Sequence, residues 1–159
     1  MQVSPVGLLP EPSCHDHLLP NVKLLNIVVG VDGSQTSWRA VSMAAGIARR
    51  EGGVIHACFV LHVPATAEMG VFAVPVPTLP GDDDADVLRS EVMRELAQAG
   101  VEGGFACRRG DIARELEALA EACQADMVVV GRSRHPNLHL GAAPRRLLAM
   151  GKRPVLVVP

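Results

Sequence analysis

Polar and charged residues follow three predicted strands of this chain, and their types could do chemistry. Asp32 comes after the first strand, His62 ends the second, and Arg132 and Arg134 follow the fourth. Because the carboxyl ends of parallel strands meet at one edge of a sheet, we expect these side chains to face a common crevice. A carboxylate, an imidazole and guanidinium groups together could serve either proton transfer or the binding of an anion.

Proton transfer is the weaker interpretation, because the sequence pairs none of these groups with a nucleophile. It has no G-x-S-x-G elbow, no H-E-x-x-H and no Walker lysine. Ser34 follows Asp-Gly at a strand-to-helix turn, where we expect it to cap the helix. We therefore predict a protein that acts by binding, without catalytic residues.

Anion binding has more support in the segment after the fourth strand. Gly131 ends that strand, and a helix beginning beyond Gly141 would present free N–H groups to an anion. From Arg132 to the end the sequence has six Arg or Lys and no Asp or Glu. The spacing alone fits equally well with glycines that only allow turns and arginines that are only solvated.

Hydrophobic periodicity predicts five strands that alternate with four helices. The third helix is expected to bury Ile112, Leu116, Leu119 and Cys123. Crossover connections between such elements imply a parallel sheet with helices on both faces. The predicted strands are 25–31, 54–63, 105–108, 127–130 and 155–158, and the predicted helices are about 37–50, from 82 to 99, from 111 to 123, and about 144–150.

Length and composition suggest one α/β domain at residues 23–159, after an irregular or disordered tail at 1–22 that contains four prolines. The net charge of −2 disfavours nucleic acid as a partner.

No apolar run approaches the ~20 residues of a membrane span, so we expect no membrane association and a cytoplasmic protein. The four cysteines lack metal-like spacing and are expected to be reduced, mostly buried thiols.

Two groups of residues look like metal ligands. One is the run Cys14-His-Asp-His17 in the tail, and the other is the set His62, His135 and His139. Neither has the spacing of a known ligand frame, and the tail offers no folded frame to fix four ligands. We therefore predict no metal site.

Four segments, taken together, closely resemble the universal stress protein family. They are IVVGVDGS at 27–34, GDIA at 110–113, ADMVVVGR at 125–132 and PVLVV at 154–158. They occur in the family's order and at about its spacing, and the resemblance covers residues 24–159.

The resemblance implies a Rossmann-like, adenine nucleotide alpha hydrolase-like sheet with strand order 3-2-1-4-5. It also implies a homodimer through the edge strand Val155 to Val158, whose apolar edge would otherwise invite aggregation. The implied ligand is ATP or another adenine nucleotide, with Mg²⁺ bound only together with the nucleotide. The binding residues carried over are Val31, Asp32, Gly33, Val63, Gly131, Arg132, Arg134, Gly141, Ala142 and Ala143.

The nucleotide loop departs from the family's pattern of G-x-x-G, nine residues, then G-[ST]. Arg134 stands at the second glycine, and only six residues separate it from Gly141. Ala142 replaces the hydroxyl residue, and Pro144 removes one N–H from the first helical turn. These departures predict a degenerate nucleotide site.

We therefore expect a stress-adaptation protein that acts by binding and contacts an unidentified protein partner. The alternative is a sensor of ATP or another adenine nucleotide that uses the Gly131 to Gly141 loop, and a third interpretation is slow nucleotide hydrolysis. The Pro-rich connection from Pro64 to Gly81 is either a lid over the crevice or a plain linker, and the sequence does not decide between them.

Overall fold

A computed structural model describes residues 25–62, 82–132 and 141–159, with only the backbone of Asp82 and Asp83. The predicted tail at 1–22, the connection from Pro64 to Gly81, and two of the predicted site residues, Val63 and Arg134, lie outside the described residues. The described elements are β1 (Asn26–Val31), α1 (Gln35–Glu51), β2 (Val54–His62), α2 (Asp82–Ala99), β3 (Glu102–Gly110), α3 (Ile112–Ala122), β4 (Met127–Gly131), α4 (Ala142–Met150) and β5 (Val155–Val158).

The five strands form one parallel sheet in the order β3-β2-β1-β4-β5, so the predicted fold is confirmed. β1 lies at the centre, and its residues Val28 and Val29 are fully buried on opposite faces. β-Branched residues suit such a strand, because their branched side chains pack well against neighbours on a pleated surface.

The core has two layers, one on each face of the sheet. Helices α1 and α2 cover one face, where Ile27 and Val29 pack against Val41 and Leu96. Helices α3 and α4 cover the other face, where Val28 packs with residues that include Leu116 and Leu147. The central strands β1 and β4 are therefore covered on both faces, and their apolar runs need no alternation.

The third strand is longer than predicted. It was expected at 105–108, but β3 runs from Glu102 to Gly110 and pairs with β2 over nine positions. Its first part was missed because Gly103 and Gly104 are poor strand formers. A Cβ on Gly103 would lie 2.6 Å from the Ile55 carbonyl oxygen and 2.7 Å from Leu96, so the missing side chain lets α2 approach the sheet closely.

The buried face of α3 also differs from the prediction. Ile112 is exposed, and Leu119 and Cys123 are only partly buried. The fully buried positions are Ala113, Leu116, Glu117 and Ala120. The stripe was misplaced because a carboxylate, Glu117, occupies part of the inward face.

The thiols are less uniformly buried than expected. Among the described thiols, Cys58 is buried, Cys123 is intermediate and Cys107, on the edge strand β3, is exposed. No helix among the described residues is both long and apolar enough to span a membrane.

Candidate functional site

A crevice of about 360 Å³ opens at the carboxyl edge of the sheet, between the ends of β1 and β4. The first turns of α1, α3 and α4 border it. The strand order switches direction between β1 and β4, and open α/β sheets bind ligands at such switch points. The described lining residues are Gly30, Val31, Asp32, Ser34, Thr36, Ser37, Cys58, Val60, Ile112, Leu116, Val130, Gly131, Arg132, Gly141, Ala142, Ala143 and Pro144.

Hydrogen bonds fix the turn between β1 and α1, which forms one wall of the crevice. Asp32 Oδ1 accepts from the Ser34 N–H at 2.9 Å, and Ser34 Oγ accepts from the Ser37 N–H at 3.1 Å. The predicted cap is thus confirmed, with Ser34 as the N-cap of α1. The Ser37 hydroxyl donates to the Ser34 carbonyl at 2.9 Å, which ties this wall together from the buried side.

Gly131 brings the end of β4 against the first turn of α1. A Cβ built there would lie 2.6 Å from the Thr36 carbonyl carbon and 2.7 Å from the Ser37 nitrogen. These distances are too short for any side chain, so close packing alone requires glycine at this position. The following residue, Arg132, donates its backbone N–H to the Val158 carbonyl at 2.7 Å, and its side chain is exposed at the rim.

The N-terminus of α4 faces the crevice from the opposite wall. Its N-cap is Gly141, with φ of 82° and no side-chain capping bond. The first intrahelical bond is from the Arg145 N–H to the Gly141 carbonyl, so the N–H groups of Ala142 and Ala143 have no acceptor within the helix. The helix dipole adds a partial positive charge at the same place.

The floor of the crevice is apolar. Cys58 and Val60 come from β2, Ile112 and Leu116 from α3, and Val130 from β4. Burial raises the pKa of the Cys58 thiol to about 12, so at neutral pH this group is an uncharged, weakly reactive surface.

The crevice therefore joins an apolar slot to a polar rim with N–H and guanidinium donors. Among its described lining residues, Asp32 is the one acid and Arg132 the one base. This combination suits a ligand with a flat apolar ring at one end and an anion at the other.

The structure brings together most of the predicted site residues. Val31, Asp32, Gly131, Arg132, Gly141, Ala142 and Ala143 all line the crevice. Gly33 turns the chain with φ of 76° and is not among the lining residues. His62, expected at the same edge, is exposed and does not line the crevice.

Sequence reasoning missed the floor and part of the first wall. The lining residues absent from the predicted set are Gly30, Ser34, Thr36, Ser37, Cys58, Val60, Ile112, Leu116, Val130 and Pro144. The period of two in β2 was a usable signal for Cys58 and Val60, because alternate residues of a strand share a face.

Comparison with known proteins agrees with this architecture. The model of the universal stress protein family matches residues 24–159. No curated protein matches the chain.

Three solved structures illustrate the likeness in fold. A universal stress protein in complex with cAMP has 24% identity and a TM-score of 0.65, over 85% of this chain and 96% of that one. One from Archaeoglobus fulgidus in complex with dAMP has 19% identity and a TM-score of 0.63, over 87% and 99%. One from Arabidopsis thaliana with AMP bound has 17% identity and a TM-score of 0.60, over 84% and 90%.

The family match spans the whole sheet, all four helices and every described residue of the crevice. This chain therefore belongs to the universal stress protein family.

Proposed function

We propose that the protein binds an adenine nucleotide in the crevice between β1 and β4 and acts in stress adaptation by binding, not by turnover. The observation that carries the proposal is the pairing of an apolar slot with the uncapped N-terminus of α4 and the Arg132 side chain. The base would enter the slot over Cys58 and Leu116. The phosphate would face Ala142, Ala143 and Arg132.

The geometry of the crevice supports the hypothesis of an adenine-nucleotide sensor more strongly than the sequence does. The loss of a hydroxyl at Ala142 removes one donor, worth about 1 kcal/mol, but the Ala142 and Ala143 N–H groups remain available. Asp32 is exposed at the rim, where its carboxylate suits the hydroxyl groups of a ribose.

Three universal stress proteins of similar fold were solved with cAMP, dAMP or AMP, which supports an adenine nucleotide as the ligand here. Binding without turnover is supported by the lining itself. The hydroxyls of Ser34 and Ser37 are engaged in the α1 cap, and among the described lining residues no His or Lys could act as their base.

Isothermal titration of protein stripped of co-purified ligand tests the proposal with AMP, cyclic AMP, ADP and Mg-ATP. We expect heat with at least one of them. Arg132→Ala should weaken binding by roughly ten- to a hundred-fold, the loss of a charge-assisted hydrogen bond of about 1.5–3 kcal/mol.

Arg145→Ala is the matched control, because Arg145 is exposed on α4 and does not line the crevice. Its affinity should equal that of the unmodified protein. Absence of heat and of any thermal shift with all four nucleotides would show that the proposal is wrong, and would leave the interaction role as the better explanation.

The same proposal includes a homodimer formed through β5. This strand is an edge of the sheet, and Val155, Leu156 and Val157 are only partly buried within one subunit. An apolar edge with unpaired backbone groups is a template for pairing, and a second copy would cover it. Such a dimer would place two crevices in one assembly, and a protein partner would then meet a two-fold surface.

A further inference from the structure

A second cavity, of about 680 Å³, lies on the outer side of α1, away from the nucleotide crevice. We refer to it as the α1 groove. It runs from the first turn of α1 to its last and meets the end of β5. Its described lining residues are Gln35, Trp38, Arg39, Ser42, Met43, Gly46, Arg50, Val158 and Pro159.

The α1 groove combines apolar and cationic surfaces. Trp38 is only partly buried, and Met43 is 48% exposed. Gly46 has no side chain, and the Arg50 guanidinium lies over it, with Nη1 3.4 Å from where a Cβ would stand. Arg39 and Arg50 stand at its two ends, and Arg39 Nη1 donates to the Pro159 carbonyl at 3.2 Å, which holds that end in place.

We propose that the α1 groove is the docking site of the proline-rich N-terminal segment of the same chain, residues 5–20. That segment has prolines at 5, 10, 12 and 20 and leucine pairs at 8–9 and 18–19. Proline-rich segments favour the extended polyproline II conformation, and they dock in grooves lined by aromatic side chains at a low entropic cost.

Charge supports this occupant. Residues 1–22 contain two acids, Glu11 and Asp16, and no Lys or Arg. The groove offers Arg39 and Arg50 and no acid among its described lining residues. A segment with acidic and apolar residues and no Lys or Arg is therefore complementary to the groove in charge and in polarity.

The position where the described chain begins also supports it. Leu25 packs against Gly53, whose N–H donates to the Ala48 carbonyl at the C-terminal end of α1. Leu25, the first described residue, therefore lies beside the C-terminal end of α1, the helix that carries Arg50. The groove is about 22 Å long, at 1.5 Å per helical residue, whereas 24 extended residues reach up to about 80 Å. Such a tether raises the effective concentration of a weak ligand.

Trp38 is the chain's one tryptophan, so its fluorescence reports directly on the α1 groove. The test is acrylamide quenching of Trp38 in the full-length protein and in full-length Glu11→Lys/Asp16→Lys. We expect the double substitution to raise the quenching constant and to shift the emission to longer wavelength. Arg50→Glu should do the same, and combining it with the two tail substitutions should restore protection.

Arg49→Glu is the matched control, because Arg49 is the neighbouring exposed arginine and does not line the groove. It should leave the quenching unchanged. Equal quenching in all variants would overturn the proposal. It would also be overturned if protection rose with protein concentration and the two tail substitutions left it unchanged, since a second copy would then occupy the groove. Circular dichroism of each variant confirms that the domain is folded.

Discussion

Arg153, in the turn before β5, holds the buried carboxylate of Glu117 on α3. Its Nε and Nη2 lie 3.0 and 2.8 Å from Glu117 Oε1. Its Nη1 donates to the carbonyl of Ala120 at 3.0 Å and to that of Ala125 at 2.8 Å. The guanidinium of Arg153 therefore connects three parts of the chain: the C-terminal half of α3, the loop before β4, and the turn that precedes β5.

Removing the carboxylate should be costly, because it leaves a charged guanidinium in a largely buried place. Glu117→Ala should lower the free energy of unfolding by about 3 kcal/mol. Urea denaturation followed by circular dichroism measures this. Glu117→Leu/Arg153→Met should recover part of the loss, since no unpaired charge then remains.

The control for that prediction is Glu121→Ala on the same helix. Glu121 pairs with Lys152 at 3.8 Å, and both side chains are more than half exposed. Exposed pairs contribute about 0.2–1 kcal/mol. Equal effects of the two single substitutions would contradict a structural role for the buried pair.

Glycine at the end of β4 should be indispensable for packing, whatever its effect on a ligand. Gly131→Ala would place a methyl group 2.6 Å from the Thr36 backbone, and the start of α1 would have to move. We expect a loss of about 1–3 kcal/mol of stability, as in overpacked cores. Because Thr36 also lines the crevice, nucleotide affinity measured by titration should fall as well.

Gly104→Ala on β3 is the control for Gly131→Ala. Its Cβ would meet no atom within 4 Å, and its φ is not positive. The substitution should be neutral, or stabilising by a few tenths of a kcal/mol through the unfolded chain. If both alanine variants unfold at the same urea concentration as the unmodified protein, Gly131 is not needed for close packing.

Sequence patterns correctly predicted those features of the fold that depend on residues close together in the chain. The apolar runs at 27–31 and 127–130 predicted buried strands, and Ser34 was correctly predicted as a helix cap. Features that depend on distant partners were missed. Nothing near Glu117 in the sequence indicates that it is buried, because its partner Arg153 lies 36 residues away.

The same distinction explains the candidate site. Asp32, Gly131 and Gly141 follow strands or precede a helix, so their place at the sheet edge could be predicted. Ile112 was expected in the core and instead borders the crevice, because α3 turns a different face inward than its leucines suggest. Helix rotation of this kind is set by packing against the sheet, which one sequence does not reveal.

Stability should fall as the pH drops below about 6.5, because of His56. This ring is partly buried, and its Nε2 lies 3.3 Å from Asn26 Oδ1. Burial lowers the pKa of His56 below the ordinary histidine value of 6.5. Above that pH His56 is neutral in both states. Below that pH His56 binds a proton in the unfolded chain before it does so in the folded protein. The free energy of unfolding therefore falls until the pH is also below the pKa of His56 in the folded protein.

Thermal unfolding between pH 7.5 and 5 measures this effect. His56→Gln should flatten the dependence over this range, whereas His62→Gln should leave it unchanged, because His62 is exposed. A profile that is identical in the unmodified protein and in His56→Gln would contradict the assignment to His56.

The proposed homodimer through β5 can be tested by removing one backbone hydrogen-bond donor from this edge strand. The carbonyls of Pro154 and Val158 accept from the N–H groups of Val128 and Arg132 on the β4 side. Since backbone direction alternates along a strand, the N–H and carbonyl of Val157 point away from β4, toward a partner strand. Val157→Pro removes that outward donor without breaking a bond to β4, and proline is tolerated on edge strands.

Sedimentation velocity should therefore find the unmodified protein and Val157→Ala as dimers and Val157→Pro as a monomer, and circular dichroism should show that the monomer is folded. The alanine variant separates the loss of the N–H from the loss of the side chain. A proline variant that remains dimeric would exclude β5 pairing as the interface, because two paired edge strands cannot keep their ladder without that donor.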